Sequence, residues 1–102
     1  KKIYNINVAM NYKLNKIIKK LDLLDNKLLD LFKTRTILVN EVLKTKKFKN
    51  KIIDNKRIKL ILRNIKTKSI GKKIDPKITN NIWKAIIKSY IAYEYRNFKS
   101  KR

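Results

Sequence analysis

Apolar residues recur along this chain at three- and four-residue steps, in three separate stretches. Leu14, Ile17, Ile18, Leu21, Leu24, Leu28, Leu31, Phe32, Leu38, Val39 and Val42 trace one stripe through a segment free of Gly and Pro. That spacing predicts a single helix over about 11–45. The run KKFKNKII then breaks the period. Asp54, a favoured N-cap residue, opens a second predicted helix that carries Ile58, Ile61, Leu62 and Ile65. Gly71, the sole glycine, predicts its end. Asp75-Pro76 supplies the third helix with an N-cap and a first-position proline, and Ile78, Ile82, Trp83, Ile86, Ile87, Tyr90, Ile91 and Phe98 follow. IYNINV near the start has the composition of a short strand, but the rest of the sequence offers it no partner. The predicted fold class is all-α, with residues 1–10 an N-terminal extension, 11–98 one helical domain and 99–102 a basic tail.

The first stripe is too long for a lone small domain. A helix of about 33 residues spans roughly 50 Å at about 1.5 Å per residue, whereas a compact domain of about 100 residues has a radius of gyration near 13 Å. The stripe nevertheless continues to both ends. A second copy of the chain is the simplest cover, so an intertwined homodimer is expected.

Composition narrows the chemistry. The 102 residues contain no cysteine and no histidine, which removes disulfides, thiolate metal sites, the usual zinc ligands and the usual general base. No metal and no cofactor is expected. No apolar run reaches the roughly 18 residues of a membrane-spanning helix and no leader pattern opens the chain, so a cytoplasmic protein without a membrane partner is expected. The net charge of +22 admits two explanations. A non-catalytic basic helical protein would use it to neutralise nucleic-acid phosphates. Yet 24 of the 29 cations are lysines, spread over every segment without an RNA- or DNA-binding motif. A solvated lysine background fits better, with nonspecific polyanion binding at low salt.

Polar residues interrupt the stripes at four places. Arg35 lies seven residues after Leu28 and seven before Val42, and Lys46 lies seven after Val39. Arg57 precedes Ile61 by four; Glu94 follows Ile87 by seven and Tyr90 by four. Singly, each has an ordinary role, as a snorkelling lysine or an arginine paired at a helix crossing. Jointly, three inward cations face few partners in a chain with 7 acids. Burying unpaired charge costs several kcal/mol, so an anion from outside is expected to complete the site. A pocket lined by Arg35, Lys46, Arg57 and Glu94, and walled by Val42, Ile61, Ile87 and Ile91, suits a small rigid dianion.

Four segments carry a family resemblance: LDLLDNKLLDLFKTR (21–35), Lys46, IIDNKRIKLIL (52–62) and IWKAIIKSYIAYE (82–94). Over about 16–98 the chain resembles the all-helical chorismate mutases and the related isochorismate-pyruvate lyases. The resemblance implies three helices from each of two interlocked chains and a small dicarboxylate substrate, chorismate or isochorismate. It matches Arg35 and Arg57 to arginines on substrate carboxylates, and Lys46 to the lysine on a carboxylate and the breaking ether bond. Asp54 matches the position three before the second-helix arginine, and Glu94 a Gln or Glu on the ether oxygen. The implied activity is chorismate mutase, an intramolecular pericyclic rearrangement to prephenate in the pathway to aromatic amino acids. The alternative is isochorismate-pyruvate lyase, which forms salicylate. Two positions lean toward the lyases, Ile58 where many mutases carry a Glu on the substrate hydroxyl, and Tyr90 where many carry a small hydroxyl residue. Ile18 stands where the family places an arginine that reaches into the partner's site, which implies one missing carboxylate contact and weaker activity.

Overall fold

The computed structural model describes residues 2–99, with side chains from Met10 onward, as three helices and one short 3-10 turn. Helix α1 is Lys2–Thr45, α2 is Asn55–Gly71 and α3 is Pro76–Asn97, with the turn at Lys49–Lys51. The all-α class expected from the periodicity is the one observed, and no strand occurs among the described residues. IYNINV is helical, so its strand option is discarded. Helix α1 begins at Lys2, nine residues before the expected start at about 11, and runs on through the segment read as an extension. Ile3, Ile6 and Met10 already stand at the three- and four-residue steps that lead to Leu14, with no Gly or Pro to stop a helix. Of the expected basic tail, all but Lys99 lies outside the described residues.

The chain divides into two compact units that part between Arg35 and Thr36. In the first, every side chain from Met10 to Leu31 is exposed, and Phe32 and Arg35 are half-buried. Large apolar groups stay in water there: Leu21 is 53% exposed, Leu24 54% and Leu31 66%.

The second unit joins the last turns of α1 to the α2–α3 pair. The Tyr90 hydroxyl meets Thr36 Oγ1 at 2.7 Å, and the Tyr93 hydroxyl donates to Asn40 Oδ1 at 2.8 Å. Both pairs advance together along the chain, so these turns of α1 run in the same direction as α3. Leu43, Ile52 and Ile86 are its buried apolar side chains. The face defined by Thr36, Asn40 and Leu43 lies roughly 130° around the helix from the stripe of Leu28, Leu31, Leu38 and Val42, at about 3.6 residues per turn. Leu38 and Val42 accordingly remain 54% and 51% exposed. Val42, expected to wall the pocket, stands on the uncovered side.

Local signals set the helix ends. Asp54 caps α2 by accepting from the Arg57 backbone N–H at 3.0 Å, and Asp75 caps α3 by accepting from the Lys77 N–H at 2.9 Å, with Pro76 at the first helical position. Helix α2 ends at Gly71, but the left-handed residue that closes it is Lys73, at φ 61°. The Ile74 N–H bonds to Ser69 O at 2.9 Å and the Lys73 N–H to Ile70 O at 3.1 Å, the paired bonds of a Schellman cap. A buried hydroxyl pair then ties α2 to α3: Ser69 Oγ and Thr79 Oγ1 are 2.7 Å apart, and Ser69 also donates to Ile65 O at 2.6 Å.

Candidate active site

The polar centre of the second unit is built where α1 stops. Helix α1 ends at Thr45, and the Lys46 N–H closes a last turn onto Leu43 O at 3.1 Å. Lys46 thus leaves the helix instead of continuing its stripe. Its ammonium Nζ lies 3.4 Å from Glu94 Oε1 and donates to the Ile52 carbonyl at 3.4 Å. Ile52 itself is 3% exposed, which anchors that carbonyl. Glu94, on the last turns of α3, is 8% exposed and is the one buried acid among the described residues. A buried carboxylate is costly without a charged partner, and Lys46 supplies it.

An ammonium group has three N–H donors. Two point at Glu94 and Ile52, so one remains for a ligand. This gives the site a fixed cation, a shared carboxylate and one open hydrogen-bonding direction.

The other expected site residues fall into separate places. Asp54 and Arg57 stand together at the start of α2, where Asp54 is occupied as the N-cap and the Arg57 side chain is exposed. Asp54 is therefore accounted for by the helix end it holds. Ile58, Ile87 and Ile91 come together in an open groove of about 360 Å³ between α2 and α3, with Leu62, Lys84 and Lys88. Ile61 is half-buried on α2 and does not line that groove. Tyr90 is half-buried, its hydroxyl held by Thr36. Arg35 is half-buried at the end of the first unit.

Three sets of contributors escaped the sequence reading. The Ile52 carbonyl left no trace, because a backbone acceptor is invisible in residue identity. Thr36 and Asn40 are spaced by four on α1 and Tyr90 and Tyr93 by three on α3, a matched polar pattern that could have predicted their pairing. Lys84 and Lys88 share a helix face with Ile91 at steps of four and three.

Among the described residues, no group of three or more His, Cys, Asp or Glu side chains is placed to hold a metal ion. No described helix is long and apolar enough to cross a membrane. In comparisons with known proteins, the family model for chorismate mutase type II matches residues 17–95. No curated protein and no solved structure matches the chain.

Proposed function

The chain belongs to the chorismate mutase type II family, and from that premise we propose that it converts chorismate to prephenate. The observation that carries the reading is the pair of half-buried Lys46 with buried Glu94, with one ammonium donor left over. The reaction breaks an ether C–O bond as a C–C bond forms within the same molecule. It needs no nucleophile and no proton transfer. What accelerates it is a folded substrate conformer and stabilised negative charge on the ether oxygen. Lys46 is suited to the second task, as a cation in a partly water-excluded position. Arg35 and Arg57 are suited to the first, since guanidinium forks match carboxylates.

Glu94 both positions and restrains Lys46. Its carboxylate holds the ammonium at the end of α3 but competes with the ether oxygen for its donors. A Gln at this position would keep an acceptor for Lys46 and could itself donate to an ether oxygen.

A homodimer is part of the proposal. It is supported by the exposed stripe of Leu21, Leu24, Leu28 and Leu31, because large contiguous apolar surfaces mark association sites. The family arginine absent at Ile18 makes a modest turnover the expectation.

One observation favours a second reading. Ile58 lines the groove with Ile87 and Ile91, so no polar side chain of α2 meets a ring hydroxyl there, which fits isochorismate-pyruvate lyase chemistry. One experiment separates the two. The protein is incubated with chorismate and, separately, with isochorismate, and prephenate, salicylate and pyruvate are followed. Prephenate from chorismate is expected. Salicylate and pyruvate from isochorismate alone would establish the lyase, and no product from either would overturn both.

A further inference from the structure

The groove between α2 and α3 has an unequal lining. Ile58, Leu62, Ile87 and Ile91 make it apolar, and Lys84 and Lys88 are its only charged members. Neither lysine has a hydrogen bond or an acidic partner among the described residues. They stand four apart on α3, one helical turn, where like charges repel. Two unneutralised cations beside an apolar surface form a site for an anion that carries a hydrophobic body. The volume of about 360 Å³ falls within the range of small-molecule sites, about 300–1,000 Å³.

We infer that Lys84 and Lys88 form an anion-binding rim that holds a carboxylate of a cyclic substrate, whose ring lies against Ile58, Ile87 and Ile91. The inference rests on the substrate class proposed above and adds two positioning residues to it. Charge complementarity selects this occupant. A second copy of the chain carries +22 and brings mostly like charge to the rim. A small carboxylate has two oxygens to offer the two lysines and leaves its ring on the apolar wall.

The carboxylate keeps its charge throughout the rearrangement, so the rim holds ground state and transition state alike. Removing it should raise KM and leave kcat unchanged. Lys84 and Lys88 are exposed, and exposed charge pairs contribute little each. About a threefold loss of affinity per lysine, and about tenfold for both, is the expected scale.

The test uses Lys84→Gln, Lys88→Gln and the double variant, with Lys66→Gln on α2, exposed and outside the groove, as the charge control. Binding of 5-hydroxyisophthalate, an aromatic dicarboxylate, is measured by titration calorimetry, and chorismate turnover is measured alongside. The expected result is weaker binding in each single variant and weaker still in the double variant, a matching rise in KM, and no change in Lys66→Gln. Equal binding by parent and double variant would overturn the inference. So would an equal loss in Lys66→Gln, which would mean diffuse charge, or a change in sedimentation mass, which would mean that a second chain occupies the groove. A parent that binds isophthalate through the rim but makes no prephenate would remove the proposed activity and leave the rim standing.

Discussion

Helices α1 and α3 carry apolar stripes of the same period and meet opposite fates. On α1, Leu14, Leu21, Leu24, Leu28 and Leu31 are all more than 45% exposed. On α3 the stripe is graded, from Ile78 at 55% and Ile82 at 46% to Ile86 at 9% and Glu94 at 8%. Periodicity encodes a helix and a face, and it says nothing of what covers the face. Cover on α3 comes from both sides of its own unit: α2, near in sequence, through the Ser69–Thr79 hydroxyl pair, and the last turns of α1, distant in sequence, through the tyrosines that reach Thr36 and Asn40. The stripe of α1 has no such neighbours within its own unit.

Charging that stripe tests the difference most severely. Leu21→Asp with Leu28→Asp would place four carboxylates in the proposed dimer interface. Each fully buried leucine contributes about 1.5–3 kcal/mol, so the four should cost at least about 6 kcal/mol of association. Sedimentation equilibrium should show the parent at twice the chain mass and the double variant at one. A parent that sediments as a helical monomer would end the dimer proposal and explain the exposed stripe as a property of a lone helix.

Much of this architecture is legible in residue order. The three helices, their caps at Asp54 and Asp75, and the inward placement of Glu94 follow from spacing and N-cap chemistry. Other features resist for physical reasons. Lys46 reaches Glu94 through a turn after α1, because a stripe extrapolated past the helix end loses its phase. Gly71 reads as the stop of α2, yet the left-handed position is Lys73, since the paired bonds of the cap fix a geometry that a lysine can adopt at some cost. Arg57 shares the stripe of Ile61 by spacing and is exposed, because it lies in the first turn, beside the chain that enters α2.

The Lys46–Glu94 pair offers the next largest effect within the second unit. Lys46→Ala leaves the Glu94 carboxylate buried without its cation, which should destabilise the protein by about 1–3 kcal/mol. Activity should fall by about 100-fold or more, on the scale of lost transition-state donors. Glu94→Gln replaces a charged acceptor with a neutral one, which weakens the competition for Lys46; it should leave stability within about 1 kcal/mol, with turnover near pH 7.5 raised. Denaturant unfolding and prephenate formation, read on the same samples, separate the two roles. Lost stability with unchanged turnover in Lys46→Ala would reduce the pair to a structural ion bridge.

Smaller effects are expected where α2 joins α3. Thr79→Val removes one partner from a buried hydroxyl pair and leaves Ser69 with its bond to Ile65. The expected cost is about 1 kcal/mol, the usual contribution of one hydrogen bond. Ser69→Ala combined with Thr79→Val should cost less than the sum of the two single changes, because neither hydroxyl is then left searching for the other. Strict additivity in urea unfolding would mean that the two hydroxyls do not interact.

The smallest expected effect moves the glycine by two positions. Gly71 sits in the last turn of α2, and a Cβ there would meet nothing within 4 Å. Gly71→Ala should therefore stabilise by about 0.4–1 kcal/mol, chiefly by restricting the unfolded chain. Lys73 holds φ at 61°, where an L side chain is strained by about 1–2 kcal/mol. Lys73→Gly relieves that strain but adds freedom to the unfolded chain, so the net gain should be about 0.5 kcal/mol. The double variant, with glycine at the Schellman position instead of inside the helix, should gain about 1 kcal/mol, read as a higher urea midpoint at constant slope. Destabilisation by Lys73→Gly would place the lysine side chain in a stabilising role that outweighs its backbone strain.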